Sequence, residues 1–286
     1  MKECVKCLMN ETDPEILFNE SGVCSHCELY DYRAERLATA KANFDLDKFI
    51  LKMKSRARRY DCILGVSGGV DSSYLVLWAK RNGLNPLCIH LDNGWNSELA
   101  VHNINRLIDY SGFDLITHVI SWREFKSIQR AFFKADVIDI ELVTDQAIFA
   151  SLHKYARKHK IKYILSGENF STENILPRSW VWRKTDVRNI MSINSLHGDV
   201  PNSKLKTYPK LGTIKKTFYQ YTGLVISFPI LNYLNYSKES AIQELVEIGW
   251  KPYPGKHFES VFTRFYQGVI LPQKFNVDKR IPHLTS

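Results

Sequence analysis

The sequence predicts an α/β protein with a parallel sheet, helices on both faces of that sheet, and a small cysteine-rich unit at the N-terminus. Two observations predict it: short apolar segments alternate with helix-length segments from residue 60 onward, and four cysteines stand near the N-terminus. Such alternation is typical of strands joined by helical crossovers. The predicted elements are strands at 61–66, 86–91, 115–120 and 162–165 and helices at 72–82, 98–111 and 143–158.

Glycines and polar residues mark the ends of the predicted helices. Gly83 and Gly112 each follow a helix, where glycine is favoured because it tolerates the left-handed conformation. Ser121 and Glu124 form a capping-box pattern, which predicts that each side chain bonds to the backbone N–H of the other residue at a helix start. Beyond residue 170 the alternation of apolar strands and helix-length segments is less regular. We expect helices near 186–195, 212–222 and 238–249, a late strand at 225–229, and a loop-like end at 251–286.

The composition bounds the class of protein. With 286 residues, of which 44% are hydrophobic, the chain can bury one sizeable core and a small additional unit. The formal net charge of +9 suggests an anionic partner, although basic residues at helix C-termini are also explained by the helix dipole. No run of 18 apolar residues exists and no apolar segment follows the first residues, so we expect a cytoplasmic protein without membrane association.

A glycine- and serine-rich segment follows the first predicted strand and opens the next helix. Glycines let backbone N–H groups approach phosphate oxygens, and the helix N-terminus adds positive potential. Asp71 is suited to hold a Mg²⁺ ion that bridges phosphates. We expect seven residues to bind ATP and its pyrophosphate: Ser67, Gly68, Gly69, Val70, Asp71, Ser72 and Ser73.

This segment is distinct from other phosphate-binding motifs. It lacks the Gly-Lys-Ser/Thr of a Walker loop, and it lacks the G-x-G-x-x-G of dinucleotide sites. It matches the signature of the PP-loop ATPases, which cleave ATP between the α- and β-phosphates. The predicted sheet is therefore Rossmann-like, of the adenine nucleotide alpha-hydrolase type.

The end of the second strand is a candidate for nucleotide recognition, because ligands bind at the carboxyl ends of parallel strands. The backbone around Ile89, His90 and Leu91 is expected to read adenine, and Asp92 to touch the substrate or a metal. An ordinary strand-ending turn explains the same residues.

The end of the fourth strand lies at the same predicted edge of the sheet. Gly167 is expected beside the phosphates, and Glu168 is expected to complete Mg²⁺ coordination with Asp71. Asp145, at the start of the preceding helix, has two interpretations: a residue of the site, or an acid that stabilises the helix N-terminus.

Two C-x-x-C pairs stand near the N-terminus. Cys4 and Cys7 form the first pair and Cys24 and Cys27 the second, a spacing that fits a tetrahedral zinc site. Disulfides and an iron–sulfur cluster are the alternatives, and a reducing compartment disfavours the disulfides. The short polar segment between the pairs would depend on the metal for its folding.

Four features occur in one order along the chain: the cysteine pairs, the segment 67–73, the segment His90–Trp95 and the segment Gly255–Phe265. Together they resemble the N-acetyl-sugar amidotransferases of surface-polysaccharide biosynthesis (WbpG/PseA-like), and the resemblance covers essentially the whole chain. Members of that family continue well past the motif similar to Asp278–Leu284, so the resemblance implies a truncated C-terminal segment.

The resemblance implies a reaction. The acetamido oxygen of a nucleotide-activated sugar attacks the α-phosphate of ATP, pyrophosphate leaves, and ammonia displaces AMP to give an acetamidino sugar. A separate glutamine amidotransferase, with a synthase-like companion in some systems, is the expected ammonia source, and ATP, Mg²⁺ and Zn²⁺ are the expected cofactors. Asp71, Lys256 and Arg264 are the catalytic candidates, and His257, Ser260 and Thr263 are further candidates for contacts with substrate or phosphate.

These inferences divide the chain into four regions. They are a zinc-binding ribbon at 1–30, a helical connector at 31–59, an ATP-binding α/β domain at 60–170 and a mostly α-helical substrate or partner segment at 171–286. Two other functions remain open. A PP-loop enzyme that thiolates tRNA would suit the basic charge, but no cysteine lies within 166–172 and no third C-x-x-C is present, so nucleic acid is not the expected partner. A catalytically inactive nucleotide-binding subunit is the second alternative.

Overall fold

The computed structural model describes residues 2–56, 59–170, 175–255 and 258–279. Five strands lie among these residues: β1 (Ile63–Gly65), β2 (Leu87–Asp92), β3 (Leu115–Val119), β4 (Tyr163–Leu165) and β5 (Ile226–Phe228). The helices up to β4 are α1 (Ser25–Ala42), α2 (Leu46–Arg56), α3 (Val70–Arg81), α4 (Glu98–Ser111), α5 (Trp122–Lys134) and α6 (Leu142–His159). The later helices are α7 (Val187–His197), α8 (Thr213–Tyr221), α9 (Lys238–Glu247), α10 (Val261–Phe265) and α11 (Leu271–Phe275), with a π-helical turn at Tyr266–Ile270 between the last two.

The five strands form one parallel sheet in the order β3-β2-β1-β4-β5. β1 is central, and it pairs with β2 on one side and with β4 on the other. The chain moves outward from β1 to β3 and then returns to the other side of β1, so the strand order reverses between β1 and β4. A reversal of this kind opens a crevice at the carboxyl ends of the two strands, where open α/β sheets bind ligands.

The inner strands β1, β2 and β4 are largely apolar because both faces of the sheet are covered there. Ile63 faces the core formed with α6, and its neighbour Leu64 faces the core formed with α3 and α4. Successive side chains of a strand point to opposite faces, so a strand buried on both sides is a continuous apolar run. This burial confirms the predicted α/β class with a parallel sheet.

A third core joins the N-terminal cysteine unit to the C-terminal part of the chain. Cys4 and Met9 pack in it together with Phe132, Trp180 and Tyr266, all of them buried. The cysteine unit therefore rests on side chains that come from far along the sequence.

Two predictions of local structure are wrong. Residues 261–275 are helical rather than loop-like, because Phe262, Tyr266 and Leu271 present buried apolar side chains from one continuous helical stretch. The capping box at Ser121 is also absent: the Ser121 side chain makes no cap bond, and Glu124 accepts hydrogen bonds from the backbone N–H groups of Thr207 and Tyr208. Glu124 therefore binds a distant backbone segment instead of the start of its own helix. Because Glu124 is only 7% exposed, loss of these hydrogen bonds would leave a buried carboxylate without partners.

In the part of the chain that the structure describes, no helix is long and apolar enough to cross a membrane.

Candidate functional site

The segment 67–73 forms a compact loop between β1 and α3. The Ser72 hydroxyl accepts from the Ser67 N–H at 3.3 Å and donates to the Gly69 carbonyl at 3.1 Å. The Gly69 N–H donates to the Ser67 hydroxyl at 3.3 Å. Gly69 is the N-cap of α3 and has no side chain to fill the space before the helix. The first turn of α3 thus presents its N-terminus to the crevice, the arrangement that binds phosphate.

Two aromatic residues from the C-terminal part of the chain form hydrogen bonds to the backbone of this loop. The Trp250 indole N–H and the Tyr253 hydroxyl donate to the Gly68 carbonyl at 3.1 Å and 3.0 Å. Gly68 has φ +83°, and a Cβ at this position would lie 2.8 Å from the Ala100 carbonyl oxygen. The position therefore requires glycine, and the sequence carried no signal that Trp250 and Tyr253 reach it across more than 180 residues.

Asp71 is held by Tyr236, another distant residue that the sequence did not reveal. The hydroxyl of Tyr236 donates a hydrogen bond to Asp71 Oδ1. Burial raises the pKa of Tyr236, and the negative charge of Asp71 raises it further, so the phenol remains the donor. The bond restrains the orientation of the carboxylate that we expect to bind Mg²⁺.

The end of β4 lies directly against Asp71. A Cβ built on Gly167 would lie 3.5 Å from Asp71 Cβ and 3.4 Å from the Ser72 nitrogen. Glu168 follows in the chain, is exposed, and donates its N–H to the Ser166 hydroxyl at 3.1 Å. The structure brings the phosphate loop and Gly167 together. Joint Mg²⁺ coordination by Asp71 and Glu168 stays a prediction.

The end of β2 supports the base of the phosphate loop. His90 Nδ1 is 2.9 Å from the Val66 carbonyl oxygen, and His90 Nε2 is 3.1 Å from Asn96 Nδ2. Burial lowers the pKa of His90, so the ring is neutral. A proton on Nδ1 satisfies both contacts, with Nδ1–H donating to Val66 and Nε2 accepting from the Asn96 amide.

The remaining candidates on β2 also have partners within the protein. The Ile89 carbonyl accepts from the Val66 N–H at 2.9 Å, and the Leu91 carbonyl accepts from the Asn96 amide at 3.4 Å. Asp92 Oδ1 accepts from the Gly94 N–H at 2.9 Å and closes the turn after the strand. Recognition of adenine by this strand end stays a prediction.

The segment 258–265 lies beside the turn that follows β2. The Val261 N–H donates to the Trp95 carbonyl at 3.0 Å, and Asn96 pairs with Ser260 in an antiparallel bridge. Two further observations place the predicted side chains. The Ser260 hydroxyl caps α10 by accepting from the Thr263 N–H, and the exposed Arg264 guanidinium lies 4.6 Å from the centre of the Phe258 ring. Lys256 and His257 lie outside the described residues.

Asp145 is placed in the first turn of α6, where it forms an ion pair with Lys184 at 3.3 Å. This position agrees with the helix-terminus interpretation.

A groove of about 540 Å³ opens beside Asp71. One wall is α1, and the other walls are Asn169 and Phe170 after β4 and the segment 231–237. Two lining residues connect the groove with the phosphate loop. Tyr236 lines the groove and bonds to Asp71, and Asn169 lines it two residues after Gly167. The rings of Tyr30 and Phe170 stack at its edge with centroids 5.0 Å apart.

The four N-terminal cysteines form a compact cluster of thiols. Cys4 and Cys27 have sulfurs 3.8 Å apart, Cys7 and Cys24 have sulfurs 3.6 Å apart, and all four sulfurs lie within 4.8 Å of one another. A zinc–sulfur bond of about 2.3 Å sets the sulfurs of a tetrahedral site about 3.8 Å apart. The donor set therefore fits one tetrahedral ion, whereas the thiolates of a 4Fe–4S cluster bind different irons and lie farther apart.

Backbone donors prepare this cluster for a metal. The N–H groups of Lys6 and Cys24 donate to the Cys4 sulfur at 3.4 Å and 3.2 Å. Burial raises the pKa of the Cys4 thiol, but these donors outweigh burial and lower it to about 6. A metal ion requires the thiolate form, so the backbone favours the ligand state at Cys4, whereas burial raises the pKa of Cys7 to about 12 and also raises that of Cys27.

No model of a known protein family matches the chain. Over 186 residues it is 25% identical to a glutamine-hydrolysing GMP synthase from Wigglesworthia glossinidia brevipalpis, an alignment that covers 57% of this chain and 35% of that protein. The chain thus spans about a third of the length of that curated relative.

Similar solved structures include an NH3-dependent NAD synthetase from Campylobacter jejuni, with 16% identity and a TM-score of 0.35 over 74% of this chain and 100% of that one. A U34-tRNA thiolase from Methanococcus maripaludis, solved with its 4Fe–4S cluster, has 16% identity and a TM-score of 0.40 over 89% of this chain and 76% of that one.

The sheet and the loop define the class of fold. A five-stranded parallel sheet whose central strand leads into Ser-Gly-Gly-Val-Asp-Ser-Ser is the Rossmann-like arrangement expected of a PP-loop ATPase, the class that the loop sequence resembles. Here it carries a four-cysteine cluster at the N-terminus and a helical C-terminal portion.

Proposed function

We propose that this protein is an ATP-dependent amidotransferase acting on a nucleotide-activated N-acetyl sugar. It adenylylates the acetamido oxygen of the sugar and replaces that oxygen with ammonia. The product is an acetamidino sugar for a surface polysaccharide or another glycan, made in the cytoplasm. The proposal joins the resemblance of four sequence features to one structural observation: Tyr236, which lines the groove of about 540 Å³, donates a hydrogen bond to Asp71 of the phosphate loop.

Asp71 carries the proposal because it belongs to the loop and is bonded to a residue of the groove. On one side it belongs to the first turn of α3, where the phosphates of ATP would bind. On the other side Tyr236, which lines the groove, donates a hydrogen bond to it, and Gly167 packs against it two residues before Asn169 of the groove. An acceptor in the groove would lie next to the α-phosphate, as direct attack on phosphorus demands.

The reaction is chemically consistent with such a site. The acetamido oxygen attacks the α-phosphorus of ATP, the bond to the β-phosphate oxygen breaks, and pyrophosphate leaves. Ammonia then adds to the activated carbon, and AMP departs with the former acetamido oxygen while protons pass to solvent. Backbone N–H groups of the loop would stabilise the negative charge of the departing pyrophosphate. Mg²⁺, held by Asp71 and Glu168, would neutralise phosphate charge.

The lining of the groove suits a sugar. Its polar side chains include the amides of Asn169, Asn232 and Asn235, and its edge has the stacked rings of Tyr30 and Phe170. Amides both donate and accept hydrogen bonds, so they can match the hydroxyl and acetamido groups of a sugar. Its volume lies within the range of about 300–1,000 Å³ typical of small-molecule sites.

The other components follow from the same proposal. Zn²⁺ is the metal we assign to the four cysteines, where it would stabilise the N-terminal unit. Ammonia would come from a glutamine amidotransferase partner, with a synthase-like companion in some systems. Lys256 and Arg264 are proposed to contact the phosphates or the sugar from the C-terminal segment.

The release of AMP and pyrophosphate tests this function. The chain is incubated with ATP, Mg²⁺, ammonium and UDP-linked acetamido sugars, and we expect both products to depend on the sugar. Asp71→Asn is expected to abolish release, and Asp145→Asn, the same change at an ion pair on α6, is expected to retain it.

Three outcomes would contradict the proposal. Turnover that requires tRNA and a sulfur donor would identify a thiolating enzyme. ATP binding without turnover on any acceptor, even with a glutaminase partner added, would identify an inactive subunit. Equal loss of activity in both variants would show that Asp71 has no special role.

A further inference from the structure

A second, smaller groove lies on the face of the sheet covered by α6. Its volume is about 230 Å³, and it is formed by α6, the segment 209–211 and α8. Its floor is buried and includes His153, Leu211 and Tyr219, whereas its rim is exposed. None of the residues that line it belongs to the phosphate loop or to the groove beside Asp71.

The rim of this groove is strongly cationic. Lys154 and Arg157 come from α6, Lys210 from the segment before α8, and Lys215 from α8 itself. In the described part of the chain, no carboxylate lines the groove. Among the residues that the structure describes, no ion pair involves any of these four side chains, whereas many other basic residues are paired.

Charges outside the rim act on two residues of the groove, Lys210 and His153. Burial lowers the pKa of Lys210, the nearby Glu124 raises it, and Lys206 lowers it again. Glu124 is itself buried and engaged by the N–H groups of Thr207 and Tyr208, so it offers little to a ligand. Burial also lowers the pKa of His153, and the positive charge of Lys216 contributes in the same direction. An anion placed here would be attracted by the cations of the rim and by these neighbouring lysines.

An aromatic ring arranges two of the cations. The Arg157 guanidinium lies 5.6 Å and the Lys215 ammonium 5.8 Å from the centre of the Tyr219 ring. Contacts with one buried ring hold two flexible side chains over the floor, which reduces the entropy that ligand binding would otherwise cost.

We infer that this groove is a second anion site, which binds a small ligand through a phosphate or diphosphate group. Four cations from three segments suit several phosphate oxygens, and Arg157 can bind two oxygens at once. The volume of about 230 Å³ is below the range usual for drug-sized ligands, so the groove suits a phosphate group rather than a whole nucleotide. The site is independent of the proposed sugar chemistry.

Calorimetric titration with inorganic pyrophosphate tests the inference. The wild type is expected to show two binding sites, one at the phosphate loop and one at this groove. Arg157→Gln with Lys210→Gln is expected to retain the first site and to weaken the second by about a hundredfold, because each of the two charge-assisted bonds removed is worth at least about 1.4 kcal/mol, a factor of about ten in affinity. Lys48→Gln with Lys126→Gln removes the same charge elsewhere and is expected to keep both sites.

The outcomes are distinct. Identical titrations of the wild type and both double variants would overturn the inference. Binding of a single-stranded RNA that needs Arg157 and Lys210, without a second pyrophosphate site, would also overturn it and indicate a polymer surface. If the first double variant unfolds, Lys154→Gln with Lys215→Gln removes the two other cations, and loss of the second site in that variant would support the inference.

Discussion

The substitution Gly68→Ala tests how the phosphate loop is held. An alanine at φ +83° costs about 1–2 kcal/mol, because the Cβ of an L-residue crowds the backbone in the left-handed region. The new Cβ would also lie 2.8 Å from the Ala100 carbonyl oxygen, closer than the about 3.5 Å at which non-bonded atoms attract. The loop must shift, and the bonds from Trp250 and Tyr253 to the Gly68 carbonyl, worth about 0.5–1.5 kcal/mol each, weaken.

We therefore expect Gly68→Ala to lower the free energy of unfolding by about 2–5 kcal/mol and to weaken ATP binding at least about tenfold. Urea unfolding and calorimetric titration with ATP measure the two effects. Gly112→Ala is the matched control, since Gly112 has φ +72° but no atom within 4 Å of a built Cβ. The control should lose only about 1–2 kcal/mol and bind ATP normally. Equal stability losses in the two variants, or normal ATP binding by Gly68→Ala, would refute the reasoning.

Three further predictions concern single groups. Tyr236→Phe removes the hydrogen-bond donor to Asp71 and should slow pyrophosphate release about tenfold with little change in melting temperature. The control Tyr233→Phe should have no effect. Equal rates of release in the two variants would contradict a role of Tyr236 in positioning Asp71. Cys24→Ser should reduce the bound zinc below one ion per chain, as measured by mass spectrometry. Cys88→Ser changes a buried thiol outside the cluster and should leave the zinc content unchanged. Iron in the wild-type protein would argue against zinc. Burial raises the pKa of Asp139 to about 6, although the positive charge of Lys279 opposes this shift. Between about pH 4 and 6 the folded state therefore binds a proton that the unfolded state has lost. The free energy of unfolding of the wild type should fall by up to about 3 kcal/mol as the pH rises through this range. Asp139→Asn should remove that fall in urea unfolding curves, and an unchanged pH dependence would exclude this carboxyl as its source.

Local sequence was informative wherever a residue's partners are its neighbours in the chain. The alternation of apolar strands and helices predicted β1 to β4, and the segment 67–73 was recognisable because its glycines and serines act through their own backbone. The cysteine pairs were equally clear, since two ligands of each pair need a spacing of three residues to share a metal.

Local sequence misled where a distant partner competes. Ser121 and Glu124 have the pattern of a capping box, but Glu124 binds the backbone at Thr207 and Tyr208. The final segment has the prolines and lysines of a loop, yet burial of Phe262, Tyr266 and Leu271 makes it helical. In both cases burial outweighs a local preference of about 1 kcal/mol.

The sequence by itself determined the class of fold, the phosphate loop and the cysteine cluster, because each depends on short-range geometry that residue type controls. Only the tertiary structure decided how the loop is supported. Trp250 and Tyr253 hold the Gly68 carbonyl, and Tyr236 holds Asp71, across separations of 165 residues or more. Such contacts arise when the packing of α9 against α3 brings distant segments together, and no periodicity or motif in a single chain encodes which aromatic residue will meet which carbonyl.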